Sequence, residues 1–220
     1  MDSIFDYQHP YVCTDAVIFS LKTQEVNSYR RLPEIALQVL LYRRDEEPFV
    51  DKWCLPGGFL DIDELPEDNI RRKLSSKAEL EDCWLEQLFT FCELQRDPRA
   101  RVISITYLGL MRPQEALNYS GKATWLEVTE LAKANLGFDH YQIIKTALQR
   151  LQAKVTYTDI IFRLLPPEFT LTQLQNVYEA ITGEKQQTAN FRRKIRPLVT
   201  ETQLYTGEKG HRPAMIYREK

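Results

Sequence analysis

The stretch "GGFLDIDELPEDNIRRKLSSKAEL", residues 57–80, concentrates side chains whose types and spacing can do chemistry. It opens with a glycine turn, sets Glu64 and Arg72 eight residues apart, and continues as an amphipathic helix carrying Lys73, Ser76 and Lys77. Carboxylates in such a helix can hold a magnesium ion, which demands hard oxygen ligands. A lysine ammonium in the same place repels the metal and attracts phosphate. Glu64, Glu67 and Asp68 are close enough in sequence to hold a displaced metal ion. They are equally the acidic helix start that the macrodipole favours with no metal at all. The stretch therefore reads as a crippled enzyme, an unusual enzyme, or a pocket that has changed jobs.

Other candidate chemistry is sparser. Cys13, Cys54, Cys83 and Cys92 lack C-x-x-C spacing, and His9, His140 and His211 are scattered, so no zinc site is expected and the cysteines read as buried, reduced thiols. His140, which follows Asp139, reads first as a structural polar residue, and "RDPR" (Arg96, Asp97, Pro98, Arg99) as either a solvated loop or a ligand contact. The chain carries a net charge of −2, and its sign is unevenly spread: residues 1–155 sum to −5 and residues 156–220 to +3. Positive charge gathering at the C-terminal end is the sign of a surface facing nucleic acid.

These groups need elements to position them. With 220 residues, 43% hydrophobic and 27% charged, the chain has enough apolar material for one large or two modest globular units. It has no apolar run of membrane-spanning length and no signal-peptide pattern, so a cytoplasmic protein is expected. "AVIFSL" and "IALQVLLYRR" read as strands joined by a polar stretch containing Pro33. "WCLPGGF" turns the chain into the helix of the opening stretch. "EQLFTFCEL", "RVISITYLGLM" and "ATWLEV" are further strands, the second with Val102, Ile103, Ile105, Tyr107 and Leu110 as its apolar positions. "GFDHYQIIKTALQRLQAKV" is a helix, with Asp139 as N-cap, Gln142 three residues later, and Ile143, Ala147 and Leu151 on one face. Strands interspersed with helices indicate an α/β or α+β domain ending near residue 155.

The remainder has a different pattern. In "PPEFTLTQLQNVYEAITGEK", Thr170 is the N-cap, Gln173 completes a capping box, Phe169 can staple Leu174, and Gly183 ends the helix. Leu171, Leu174, Tyr178 and Ile181 form its apolar stripe. "TANFRRKIRPLV" puts Phe191, Ile195, Leu198 and Val199 on one arc and Arg192, Arg193 and Arg196 on the opposite one. Pro197 removes a helix hydrogen bond and biases Arg196 away from helical geometry, so this helix should be short or kinked. "QLYTGEKGHRPAMIYR" reads as two short strands around a basic loop. Helix, turn, basic helix and hairpin in that order make a winged helix-turn-helix candidate.

On these residues the chain resembles two things at once. Residues 12–152 resemble a Nudix domain, whose signature is G-x5-E-x7-R-E-U-x-E-E-x-G-U with U aliphatic. Counting from Gly58, the residues Glu64, Arg72, Leu74 and Leu80 fit, whereas Lys73, Ser76, Lys77 and Glu79 depart from it. "LLYRR", "WCLPGGF", "QLFTF", "RDPRARVISITY", "WLEV" and "FDHYQII" are similar in order and spacing to Nudix proteins acting on ADP-ribose-like ligands. With "FTLTQLQNVYEAI", "NFRRKI" and "GHRPAMIYR", the whole chain resembles the Nudix-related transcriptional regulators of NAD metabolism, the NrtR type.

The resemblance implies an α+β chain: a Nudix-like mixed-sheet α/β/α domain over residues 1–155, with a degenerate Nudix box at 58–80, and a winged helix-turn-helix domain over 156–220. It implies an ADP-ribose-like ligand near Arg44, Gly57, Gly58, Phe59, Arg96, Arg99 and Tyr107. It also implies a double-stranded DNA operator contacted by Asn190, Arg192, Arg193 and Arg196 on the basic helix and by Lys209, His211 and Arg212 in the hairpin loop, with a homodimer as the working unit. Nudix hydrolysis uses divalent ions on helix carboxylates to neutralise phosphate and activate water. Two lysines and a serine in place of three glutamates should abolish that site, leaving no catalytic residue and no required cofactor. Two alternatives stand beside this regulator: a hydrolase with relocated metal ligands, needing Mg or Mn, and a nucleotide-binding protein whose winged domain makes only protein contacts.

Overall fold

The computed structural model describes residues 8–24, 34–113, 116, 123–206 and 213–220. The chain forms two compact units that are each discontinuous in sequence. One comprises Met1–Ile18, Val39–Gly109 and Tyr119–Ala147, the other Phe19–Gln38, Leu110–Asn118 and Leu148–Lys220.

Among the described residues a seven-stranded sheet has the path β3-β2-β1-β6-β5, with β4 paired to β1 and β7 paired to β2. The strands are β1 (Tyr11–Gln24), β2 (Glu34–Arg43), β3 (Trp53–Cys54), β4 (Gly57–Phe59), β5 (Trp84–Phe91), β6 (Val102–Leu110) and β7 (Ala123–Glu127). Ala16, Val17, Ile18 and Phe19 of β1 are all fully buried, as are Val39, Leu40 and Leu41 of β2. Continuous apolar runs of this kind belong to strands covered on both faces. Strand β6 departs from the expected alternation. Ser104 and Thr106 are fully buried while Ile103 and Ile105 are only half-buried. The cause is a polar interior: Ser104 Oγ donates to Asp15 Oδ2 at 2.6 Å and lies 3.1 Å from Thr106 Oγ1.

Helix α1 (Pro66–Ala78) follows the glycine turn. Pro66 takes the first helical position, where its missing N–H costs nothing, and Glu67 and Asp68 sit in the first turn, where the dipole favours them. Ile70, Leu74 and Ala78 are its buried apolar residues. The helix ends in a left-handed residue at φ 49°, ψ 29°, and that residue is Glu79, not the glycine usual in this conformation. The cap geometry persists: Glu79 N donates to Ser75 O at 3.0 Å and Leu80 N to Leu74 O at 3.2 Å.

Helix α2 (His140–Lys154) buries Ile143, Ile144, Ala147 and Leu151 completely. Asp139, expected as its N-cap, spends its carboxylate elsewhere, on Arg96. The cysteines are free: Cys13, Cys54 and Cys83 are buried as expected, but Cys92 is exposed, just beyond the end of β5.

The second unit contains α3 (Leu171–Thr182), α4 (Thr188–Ile195) and the antiparallel pair β8 (Val199–Tyr205) and β9 (Met215–Glu219). The capping box forms, with Gln173 N donating to Thr170 Oγ1 at 3.1 Å and Thr170 N to Gln173 Oε1 at 2.7 Å. Leu171, Leu174, Val177, Tyr178 and Ile181 are buried, and Gly183 ends the helix at φ 73°. Phe169 adds a backbone bridge to Tyr217, with N–H···O distances of 3.0 and 2.8 Å. Helix α4 is short, as Pro197 dictates, and passes into a 3-10 turn at Arg196–Leu198. Arg196 nevertheless stays helical at φ −47°, ψ −39°, because its amide still bonds to Arg192 O and the tighter turn accommodates the proline. Leu198, expected on the apolar arc, is 40% exposed. The 3-10 turn breaks the periodicity that would have brought it round.

Candidate functional site

The glycine turn is built by register and by lack of room. Asp15, Thr14 and Cys13 of β1 pair with Gly57, Gly58 and Phe59. A methyl group on Gly57 would fall 2.2 Å from Thr14 O and 2.3 Å from Asp15 Oδ1, so only glycine permits this approach. Asn69, fully buried in α1, then ties the turn to the helix. It accepts from Thr14 Oγ1 at 2.6 Å and donates to Phe59 O at 2.8 Å and Glu64 Oε2 at 2.7 Å. Nothing in the sequence pattern singled out Asn69.

Glu64 and Arg72, the two charged positions that match the signature, bond to each other. Arg72 Nε and Nη2 donate to the two Glu64 oxygens at 2.7 Å each, and Nη2 also reaches Asp61 Oδ2 at 2.7 Å. Hydrogen bonds from Arg72, then Asn69, hold the Glu64 carboxyl down at about 2. Glu67 pairs with Arg71 at 2.9 Å.

Of the helix positions that depart from the signature, Lys73 and Lys77 face a cavity. Lys73 lies across Gly58: a methyl group there would be 2.7 Å from its Cε and 3.1 Å from its Nζ. Lys77 Nζ donates to Tyr42 Oη at 3.1 Å and sits 4.7 Å from the centre of that ring. Burial, then Arg72 and Lys77, push the Lys73 ammonium down; burial, then Arg44, do the same to Lys77. Ser76 is exposed and turns its hydroxyl to Lys73 O at 3.4 Å. Two ammonium groups and a hydroxyl are the wrong donor set for a magnesium or manganese ion, and a metal does not fit this helix face. Among the described residues no group of three or more His, Cys, Asp or Glu side chains is placed to hold a metal.

The opposite wall is a set of compensated charges. Arg96, 7% exposed, makes a two-pronged bond to Asp139 at 2.9 and 3.0 Å and reaches Asp15 Oδ2 at 3.4 Å. Burial opposes its charge, but the two carboxylates outweigh that and raise its pKa. His140 Nδ1 accepts from Leu55 N at 2.9 Å, which leaves the proton on Nε2, 3.8 Å from Asp15 Oδ1. Burial pushes His140 down despite the nearby acids, so the ring is neutral near pH 7. Arg99 is paired with Asp97 at 2.7 and 3.0 Å and lies 5.3 Å from the Phe59 ring centre. Arg44 is different. It donates to Pro48 O at 2.6 Å, Glu47 O at 3.1 Å and Tyr42 Oη at 3.5 Å, and stacks 5.3 Å from the Phe138 ring centre. Among the described residues it has no carboxylate within ion-pair distance. Phe138 is itself held in the left-handed region at φ 53°, packed against Phe49 at 4.7 Å and His140 at 5.2 Å. Cys13, beside Arg96, is an inert thiol, pushed up to about 12 by burial and Asp15.

Together these residues line a cavity of about 390 Å³, within the size range of small-ligand pockets. Of the residues expected around a ligand, Arg44, Gly57, Gly58, Phe59, Arg96 and Arg99 all line it. Tyr107 does not. It is buried on β6, where burial and the Glu67 and Asp68 carboxylates push its hydroxyl pKa up. Tyr42, Asp15, Asp97, Phe138 and His140 also line the cavity. Of these, Asp97 belongs to the "RDPR" run already read as a possible ligand contact, and Phe138 and His140 to the "GFDHY" run, whereas Tyr42 and Asp15 carried no local signal.

In the second unit Phe191 and Ile195 of α4 are buried, with Phe191 5.4 Å from Tyr178. Asn190, Arg192, Arg193 and Arg196 are exposed. Arg193 Nη2 donates to Asn190 Oδ1 at 3.4 Å, and Arg196 lies 4.0 Å from Glu201. An exposed basic face on the second helix of a helix-turn-helix is the arrangement that contacts a DNA groove. Lys209, His211 and Arg212 lie outside the described residues.

Comparison with known proteins adds independent findings. Residues 33–147 match the NUDIX domain family, and residues 161–218 match the NrtR DNA-binding winged helix domain. A curated relative, the "ADPR responsive transcriptional repressor NtrR" of Acinetobacter baylyi, is 34% identical over 97% of this chain and 83% of its own length. The crystal structure of Shewanella oneidensis NrtR complexed with a 27mer DNA superposes with a TM-score of 0.79 at 33% identity, over 95% of this chain and 93% of that one. The NUDIX domain of the same protein complexed with ADP ribose gives 0.54 at 30% identity, over 68% of this chain and 94% of that one.

Proposed function

Because the chain belongs to the Nudix family and carries the NrtR winged helix C-terminal to that domain, we propose that it is a transcriptional regulator that binds operator DNA and senses an ADP-ribose-like nucleotide through a non-catalytic Nudix domain. The observation that carries the reading is one chain holding both a pocket helix armed with Lys73 and Lys77 and a winged helix with exposed Arg192, Arg193 and Arg196. The pocket takes the ligand's pyrophosphate beside Gly58 and its apolar part against Phe59 and Phe138. It needs no resident metal, because its helix face offers cations where a hydrolase offers carboxylates. Control is linkage: the nucleotide binds one state of the protein better than another and changes DNA affinity by that difference.

The protein works in the cytoplasm as a homodimer on a two-fold operator, the arrangement that matches paired half-sites to protein symmetry. Among the described residues no helix is long and apolar enough to cross a membrane. The test is selection of a bound sequence from a random duplex pool, followed by titration of wild type and Arg193→Ala at several salt concentrations, with and without ADP-ribose. A palindrome bound about tenfold or more weakly by Arg193→Ala, with affinity shifted by ADP-ribose, supports the reading. No enriched sequence would overturn it.

A further inference from the structure

The cavity contains both signs of charge, but not in the same condition. Asp15 is satisfied by Ser104 and Arg96, Asp97 by Arg99, and Asp61 by Arg72. Glu46 remains, exposed at the rim, where water and salt screen it. On the cationic side Lys73, Lys77 and Arg44 have no carboxylate within ion-pair distance among the described residues. All three are held in place by uncharged groups. Lys73 packs on Gly58, Lys77 is hydrogen-bonded to Tyr42 Oη, and Arg44 is hydrogen-bonded to two carbonyls and stacked on Phe138.

Three buried or half-buried cations gathered with no carboxylate in direct contact repel one another, and the more distant Asp15, Glu46, Asp61 and Glu64 offset this only in part, so both lysines are pushed down and an anion between them would be favoured. Lys73 and Lys77 are about one helical turn apart, so both reach the same cavity from one face of α1. In the Nudix signature the equivalent helix face carries glutamates, which require a divalent cation between protein and ligand. We propose that Lys73 and Lys77, with Arg44, replace that cation, so that the pocket takes the pyrophosphate of a nucleoside diphosphate as the free anion, with no metal ion between protein and ligand. The inference rests on the reading of this cavity as the nucleotide site and adds the ionic form in which the ligand is recognised. Metal chelated by the ligand then competes with the lysines instead of assisting them.

The experiment is calorimetric titration of the full chain with ADP-ribose in EDTA and again with excess magnesium or manganese, with inorganic pyrophosphate as competitor. Affinity in EDTA equal to or tighter than with metal, and competition by pyrophosphate, is the expected result. Binding that needs the metal overturns the inference and leaves the sensor reading intact, whereas no binding in either condition sinks the sensor reading itself. Lys73→Met and Lys77→Met keep the packed methylenes and remove the charge. Each should weaken binding in EDTA by about ten- to a hundredfold, the loss typical of one charge-assisted contact. Unchanged affinity in both, with melting curves confirming the fold, overturns the proposal.

Discussion

Glu64 and Arg72 stand eight residues apart and meet side by side, with both guanidinium-to-carboxylate bonds at 2.7 Å. In this chain the two charged positions that match the signature form a brace between the glycine turn and α1. Glu64 is committed to Arg72 and Asn69, so it is not available as a lone metal ligand.

The brace should be visible in acid. Glu64 is held at about 2 in the folded protein, against an ordinary glutamate value of about 4.3. A depressed folded value contributes stability that is fully present above the unfolded value and is lost as pH falls through the folded one. The difference in melting temperature between wild type and Glu64→Gln should therefore be constant above about pH 5 and shrink between about 4.5 and 2. A difference independent of pH across that window would show that the carboxylate charge does not hold the brace.

The lysines have the opposite sign. Lys73 and Lys77 lie below the ordinary lysine value, mainly through burial, so the folded protein without ligand gains stability as pH rises and they lose their protons. A bound pyrophosphate favours their charged forms. Binding should therefore take up protons at alkaline pH, and affinity should decline at a lower pH than the ordinary lysine value of about 10.4. Calorimetry in two buffers of different ionisation enthalpy measures the uptake, and its absence in Lys73→Met/Lys77→Met assigns it.

Arg96 presents a test of placement against contact. Arg96→Met leaves the buried Asp15 and the half-buried Asp139 without their cation, a change that costs about 3–5 kcal/mol in buried pairs. Urea unfolding should show a lower midpoint at unchanged slope, with partial recovery in Arg96→Met/Asp139→Asn. Full stability together with a large loss of ADP-ribose affinity would instead make Arg96 a direct ligand contact.

Glu79 offers a gain. It occupies the left-handed cap of α1, where an L side chain is strained, and is the one position where the signature's glycine is missing from a backbone that still has its shape. Glu79→Gly should raise stability by about 1 kcal/mol, the strain relieved minus the extra freedom of an unfolded glycine. A melting temperature lowered by this substitution would mean that the Glu79 side chain makes a compensating interaction.

Local order was written in local sequence. Thr170 and Gln173 announced a capping box that forms atom for atom, and Leu171, Leu174, Tyr178 and Ile181 are buried because a helix repeats every 3.6 residues. The frame of Gly58, Glu64 and Arg72 likewise located the turn and α1. The pocket's charge state was not legible in this way. Arg96 finds Asp15 from 81 positions earlier and Asp139 from 43 later, and Ser104 faces inward because Asp15 is there to accept its hydrogen bond. Spacing says which face of an element a side chain occupies, but not what the neighbouring strand brings against it. Asp139 stands just before its helix as expected but gives its carboxylate to Arg96 for that reason, whereas Leu198 left its apolar arc because the 3-10 turn shifts the helical period. Arg99 finds its carboxylate two residues away, in Asp97, but what separates the idle cations Lys73, Lys77 and Arg44 from the neutralised Arg96 is which carboxylates the fold carries within about 4 Å, a distance that charge pairing needs and that tertiary contact sets.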